Sequence, residues 1–336
     1  MHYVGLDSHL RQSTFCVLDE RGRKCRSRTI HGNWRIVLKE LESVPKPFAI
    51  YFEASTDYGV LFEKLSGLAE RVVVAHPGQL RLIFRSKRKS DRVDAEKLAK
   101  LLFLDEVPPV YVPSIEIRAW RRTIRHRRGL VSQRVAAKNA IRALLRGEGI
   151  AAPRGLWSKK GLKWLEKQEL ATELDALQRD ILFERLQSLT SMIERVERVL
   201  NGMADKHPGV QLLKTIPGVG NRVGEAVVAA IDDPQRFSNL KTIGSYFGLV
   251  PRQDSSANVN RLGRITGDGP PLVRCLLVEA AWIAKRHSGQ VQRFFERVQR
   301  EDPDRRNIAA VATAHYLIRI MLSMLRTGEV WREEAA

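Results

Sequence analysis

The sequence predicts an α/β plus all-α chain, with a mixed sheet at the N-terminus, a helical coiled-coil arm and a mainly helical C-terminal domain. Three observations lead there. Short β-branched and apolar runs alternate with polar turns up to about residue 76. From about residue 114 onward the apolar residues recur at helical spacing instead. A Pro-Gly-x-Gly turn at 217–220 then joins two helical stretches like a helix-hairpin-helix element. With 336 residues, of which 43% are hydrophobic, two or three cored domains are expected, divided at 1–113, 114–205 and 206–336.

Residues 3–7 read as a first strand, and 13–19 and 24–30 follow around the polar turn Asp19-Glu20-Arg21-Gly22-Arg23 as an antiparallel meander. A helix comes next, then a strand at 47–53, a helix near 57–68, a strand at 71–76 closed by Pro77, and helical stretches through 77–103. Three strands followed by alternating helix and strand is the order of a ribonuclease-H-like mixed sheet. In that layout Asp7 and Glu53 end adjacent strands, while Asp91 and Asp94 of Ser90-Asp91-Arg92-Val93-Asp94 share one helical face.

Singly, each of these acids could be a strand-end or capping residue, Asp91 above all. Jointly they form a quartet whose members at about 4 Å would repel by roughly 4 kcal/mol per pair. Such a quartet calls for protonation or counter-charge, and two Mg²⁺ ions, whose usual employment is phosphate chemistry, would supply it. The basic residues Arg81, Arg85, Lys87, Arg88 and Lys89 stand immediately before the acidic pair. They are expected to steer a nucleic-acid backbone toward the acids.

From Arg118 to Arg146 the chain carries ten Lys or Arg and no Asp or Glu. A block this one-sided repels itself unless an anion neutralises it. Arg121, Arg122, Arg125, Arg127, Arg128, Arg134, Lys138 and Arg142 are therefore candidate backbone contacts, against the plainer reading of a solvated helix face. A second helix, from about 160 to 203, spaces Leu186, Leu189, Ile193, Val196, Leu200 and Met203 by threes and fours. That seam serves either packing on the first helix or pairing between subunits. Farther on, Gly218 and Gly220 in Ile216-Pro217-Gly218-Val219-Gly220 either expose backbone N–H groups to a phosphate or allow close packing.

The charge balance fits this picture. Lys and Arg number 57 against 38 Asp and Glu, a net +19, which favours a polyanionic partner. No membrane association is expected, because the most apolar late segment, Ile308 to Leu325, contains His315 and Arg319 and reads as a buried helix. The three cysteines, Cys16, Cys25 and Cys275, lack metal-ligand spacing and argue for a reducing interior. The N-terminus enters a strand without a signal peptide, so a cytoplasmic protein is expected.

In order and spacing these motifs resemble the insertion-sequence transposases of the IS-one-ten and IS-eleven-eleven family. The resemblance rests on Gly5-Leu6-Asp7-Ser8, Phe52-Glu53-Ala54-Ser55 and Lys89-Ser90-Asp91-Arg92-Val93-Asp94-Ala95 in the first domain. In the last it rests on Ile216-Pro217-Gly218-Val219-Gly220, Gly244-Ser245-Tyr246-Phe247-Gly248-Leu249-Val250-Pro251-Arg252 and Gly263-Arg264-Ile265-Thr266. It implies a RuvC-like DEDD domain holding magnesium, a C-terminal transposase domain with a serine nucleophile, and a homo-oligomer, dimer or tetramer, acting on donor and target double-stranded DNA under a structured guide RNA.

Counted from Pro251, the family's serine falls on Ser256, with Ser255 as its neighbour. Arg252 and Arg264 flank it as nucleic-acid contacts. The chain departs from many relatives at Ala257, where they have Gly, and at Gly267, where they have Lys. Two other readings use the same residues: a junction-resolving nuclease with water as nucleophile, and a nucleic-acid-binding protein without catalysis.

Overall fold

The N-terminal segment folds as alternating layers because its strands bury apolar residues on both faces. The computed structural model describes residues 1–9, 11–54, 58–78, 80, 90–106, 109–256 and 259–333, with the backbone alone at 254–256 and 259–260. Arg81, Arg85, Lys87, Arg88 and Lys89 lie outside the described residues. The chain forms two units, Met1–Ile115 and Glu116–Ala336.

In the first unit the elements are β1 (His2–Ser8), β2 (Gln12–Leu18), β3 (Lys24–His31), α1 (Trp34–Leu41), β4 (Phe48–Glu53), α2 (Tyr58–Ser66), β5 (Arg71–Ala75) and α3 (Asp91–Phe103). The strands form one sheet in the order β3-β2-β1-β4-β5. β1 runs antiparallel to β2 and parallel to β4, which is parallel to β5. Val4, Leu6, Phe15, Val17, Ile50 and Phe52 bury one face of this mixed sheet against Val37 and Leu41 of α1 and Leu61 and Leu65 of α2. The alternate residues Ala49 and Tyr51 face Leu98, Leu101 and Leu102 of α3.

Helix α3 crosses β1 at Gly5, and only glycine fits there. A Cβ on Gly5 would stand 2.1 Å from the Ala95 carbonyl oxygen and 2.3 Å from the Ala99 amide nitrogen. Since Gly5 and Asp7 lie on the same sheet face, this contact also fixes where the start of α3 falls relative to Asp7.

The second unit begins with α4 (Ile115–Gly147), α5 (Lys159–Glu166) and α6 (Glu173–Lys206). The continuous helix expected over 160–203 is thus two helices. Thr172 interrupts it by capping α6: the Asp175 amide donates to its Oγ1 at 3.1 Å, the first half of a capping box. The heptad seam is used within the chain, as Leu189 and Ile193 pack on Leu130 and Ala137 of α4, and Leu186 on Ile141 and Leu145. Met203, at the end of the seam, is 39% exposed and does not join it.

The opposite ends of α4 and α6 enter the C-terminal core, where Trp120, Ile124, Leu200 and Ala204 pack with α7 (Pro208–Leu213), α8 (Asn221–Ile231), α9 (Thr242–Tyr246), α10 (Pro271–His287), α11 (Gly289–Gln299) and α12 (Arg306–Thr327). Helix α12 is long and apolar enough to cross a bilayer, but Ala314, Leu317, Ile318, Met321 and Leu322 are buried in this core. Glu225 of α8 is buried at 1% exposure, 2.9 Å from Nη1 of Arg222, and burial pushes its carboxyl up to about 7.

One element was not foreseen. The segment from Pro251 forms an antiparallel pair, β6 (Pro251–Ser256) and β7 (Val259–Ile265), within a domain expected to be mainly helical. Its base is braced by glycines that tolerate no side chain. Gly248 (φ +64) abuts the Asp268 carbonyl and Gly269 (φ +70) the Tyr246 carbonyl, with hypothetical Cβ distances of 2.3 and 2.0 Å. Arg274 Nη1 ties the same segments by donating to the carbonyls of Phe247 (3.0 Å) and Asp268 (2.8 Å).

Candidate functional site

The parallel pairing of β1 with β4 runs through Leu6 opposite Phe52, so Asp7 and Glu53 stand one residue beyond at neighbouring strand ends. Helix α3 presents Asp91 at its first position and Asp94 one turn on, both in the first turn, where the helix dipole favours negative charge. The helix cap is Ser90, whose Oγ accepts from the Val93 amide at 3.4 Å. Asp91 is therefore free of capping duty, and its Oδ2 accepts instead from Nε2 of Gln12 on β2 at 2.9 Å.

Among the described residues, ligand atoms of Asp7, His9 and Asp91 all lie within 4.8 Å of one another. His9 Nε2 sits 3.3 Å from Asp7 Oδ1, although sequence reasoning assigned this histidine no part. Glu53 and Asp94 stand outside this closest group, yet their charges reach it. Asp7 is held above the usual carboxylate range, first by burial and then by Asp91, Asp94 and Glu53, while His9 opposes the shift. Asp94 also lies 4.0 Å from the Lys97 ammonium one turn along α3.

The charges of Asp91, Asp94 and Glu53 add to burial in raising Asp7, and the hard oxygens of such a group suit a hard divalent cation. The residues fit such an ion: Asp7 and Asp91 could hold it directly, with Glu53 and Asp94 beside them. His9 offers a nitrogen to the same group. A histidine two residues past a strand-end aspartate was the available signal for it.

The basic residues of α4 divide by what they touch. Arg121 donates from Nε and Nη2 to the Ala229 and Ala230 carbonyls at 2.6 and 2.9 Å. With Arg236 and the Tyr246 hydroxyl, it satisfies the last carbonyls of α8 and complements that helix's negative end. Arg127 is paired with Glu197 of α6, its Nε 2.8 Å from Oε1. These two, expected from the sequence to contact nucleic acid, are engaged within the chain; charge counting cannot tell a cation that ties helices from one that faces solvent.

Lys138 and Arg142 lie over the Trp157 ring at 5.0 and 5.4 Å from its centroid. Burial, then the neighbouring Arg134 and Arg142 charges, hold the Lys138 ammonium below its ordinary pKa. Arg122, Arg125 and Arg128 are exposed and have no acidic partner among the described residues.

In the C-terminal half, Gly218 takes a left-handed φ of +86°, and a Cβ there would meet the Ala284 amide nitrogen of α10 at 2.8 Å. Close helix packing accounts for it. Gly220 precedes α8 with open space around it. Ser256 closes β6, its backbone opposite Val259, and Ser255 is opposite Asn260. Ala257 lies outside the described residues. Arg252 and Arg264 are exposed on the two strands. Gly267, at φ +72°, adopts a conformation that a lysine would hold only with strain.

Comparison with known proteins identifies the family. Residues 4–149 match the DEDD transposase model of the IS110 type, and residues 210–296 match the model described as Transposase IS116/IS110/IS902 family. The transposase for insertion sequence element IS1328 of Yersinia enterocolitica is 29% identical over 90% of this chain and 92% of its own length. A probable family 20 transposase of Pseudomonas aeruginosa is 30% identical over 73% of this chain and 74% of its own. The transposase for insertion sequence element IS1111A of Coxiella burnetii is 25% identical over 84% and 78%. With both halves matched in order and the acidic residues gathered at one sheet edge, the chain belongs to the IS110/IS116/IS902 family of insertion-sequence transposases.

Proposed function

We propose that this transposase recombines DNA under the guidance of a structured RNA, forming a covalent phosphoserine link through Ser256. The observation that supports it best is the approach of Asp7 and Asp91, with Glu53 and Asp94 close enough to raise Asp7, in a chain of an insertion-sequence family. Asp7, Glu53, Asp91 and Asp94 would hold divalent cations, two Mg²⁺ in this reading. When bound, such ions polarise a phosphate and stabilise a departing oxygen.

The chain's own residues do the rest. Gln12 orients Asp91 through its 2.9 Å hydrogen bond, and His9 partly offsets the charge of Asp7. Arg122, Arg125 and Arg128 hold a phosphate backbone without reading its sequence. The Ser256 Oγ–phosphorus bond forms as the bond from phosphorus to a deoxyribose oxygen breaks; the hydroxyl proton is lost and the departing oxygen gains one. One phosphoester replaces another, so rejoining needs no ATP. The acids and Ser256 belong to separate units of the chain, and we assign the working form to a homo-oligomer in which Ser256 serves the carboxylates of its own subunit or of another.

A Ser256→Ala protein should bind nucleic acid yet trap no covalent DNA adduct, whereas adduct at the normal yield would rule out this nucleophile. Metal-dependent cleavage without any adduct in the native chain would assign water as nucleophile. Sequencing the RNA that copurifies tests the guide: absence of a transcript from beside the gene would remove that part of the proposal.

A further inference from the structure

Apart from the carboxylate cluster, the second unit contains a cavity of about 530 Å³ with no acidic lining among the described residues. Its floor is the end of α8, Ala226, Ala229 and Ala230, and its far wall is Pro270 to Val273 at the start of α10. The near wall is α4, which contributes Arg121, Arg125 and Arg128 at helical spacing, and most of the surface between these walls is apolar. The floor is held rigidly, since Arg121 and Tyr246 are engaged with the last carbonyls of α8. Arg125 and Arg128 are exposed and have no acidic partner among the described residues.

We propose that this cavity receives a single unstacked nucleobase from a bound nucleic-acid strand, with Arg125 and Arg128 on its flanking phosphates. The inference rests on the reading of this chain as a nucleic-acid-acting protein and adds a site to it. The volume is of the size that encloses small flat ligands. An apolar slot between prolines and alanines suits a base face, which every nucleotide presents, and rejects the phosphate. The two guanidiniums at its rim supply the complementary charge for the anionic backbone on either side. A flat apolar group with anions around it describes a nucleotide extruded from its stack. The same chemistry arises from an RNA loop or from an unpaired DNA strand.

Cys275 lines the cavity and is exposed, which gives a direct probe. Cys16 is buried, so in a Cys25→Ser chain Cys275 is the one exposed thiol among the described residues. N-ethylmaleimide labelling, followed by intact mass, should slow about tenfold or more when saturating oligothymidylate or oligouridylate of about twenty nucleotides is bound. A fully paired duplex of equal length should protect far less. Protection by only one of the two strands identifies DNA or RNA as the source of the base.

Leu272→Trp, which fills the slot, should weaken single-strand binding about tenfold and leave duplex binding unchanged. If fluorescence anisotropy shows the strand bound while Cys275 labels at its free rate, the cavity proposal is overturned and nucleic-acid binding stands. If no strand or duplex binds at all, both fall. Equal affinity of the Leu272→Trp chain for single strands would likewise overturn the proposal.

Discussion

Replacing Gly5 by alanine tests how the acidic cluster is positioned. The added methyl would lie 2.1 Å from the Ala95 carbonyl oxygen and 2.3 Å from the Ala99 amide nitrogen, where ordinary contact begins near 3.4 Å. Both obstacles are helix backbone, so no rotamer change relieves them and α3 must retreat from β1 by about 1 Å. Overpacking of this kind costs about 1–3 kcal/mol, which in a unit of this size lowers the melting temperature by roughly 5–10 °C. The same retreat carries Asp91 and Asp94 away from Asp7, and a displacement of about 1 Å at a catalytic group can cost about 100-fold in rate. Calorimetry and metal-dependent DNA cleavage on folded protein measure the two effects. Gly67→Ala is the control, because a Cβ there meets only the Lys64 carbonyl at 3.7 Å. Native stability and cleavage in the Gly5→Ala chain would refute the claim that this contact places the acids.

Other outcomes follow from the charges. Asp7→Asn should melt higher than the native chain in the absence of divalent metal. Mg²⁺ should stabilise only the native chain, by about 2.7 kcal/mol at a hundred times its dissociation constant; equal stabilisation of both chains would remove Asp7 from the metal site. Because the folded-state pKa of Asp7 is raised above 3.8, folding takes up protons there, so metal-free stability falls as pH rises through that window while metal affinity increases. Glu225 behaves alike between its ordinary 4.5 and about 7: the native chain should lose stability as pH rises across that span, and a Glu225→Gln chain should lack that slope in urea melts. Arg121→Ala should destabilise the second unit by about 1–3 kcal/mol, from the Ala229 carbonyl left unpaired, without changing the salt dependence of DNA binding. Arg122→Ala should do the reverse, lowering the salt slope by about one.

What the sequence made legible followed from periodicity and from acids at element ends. The strands carrying Asp7 and Glu53 announced themselves as apolar runs, and Asp91 with Asp94 stood at a recognisable helix start. The β6–β7 hairpin did not, because Pro251-Arg252-Gln253-Asp254-Ser255-Ser256 has no alternation of apolar and polar residues to betray a strand. Its base is set by long-range glycine contacts that no local pattern reveals. Gly5 stood within the motif Gly5-Leu6-Asp7-Ser8, but its reason, the backbone of α3 lying against it, is tertiary. The break at Thr172 was readable as Thr-x-x-Asp and was overridden by the strength of the heptads beyond it. The division of α4 into Arg121 and Arg127, which tie helices together, and Arg122, Arg125 and Arg128, which face outward, depends on which neighbours end up alongside, information absent from composition.

The carboxylate-bearing unit is one uninterrupted stretch, Met1–Ile115, with its own buried apolar cluster. A ribosome working from the N-terminus therefore finishes it well before the hairpin ending at Ile265 leaves the exit tunnel. The nascent chain can close its sheet and bring Asp7 and Asp91 together while still lacking Ser256, so under the proposed mechanism order of synthesis alone would keep the acids without their nucleophile until the polypeptide is released.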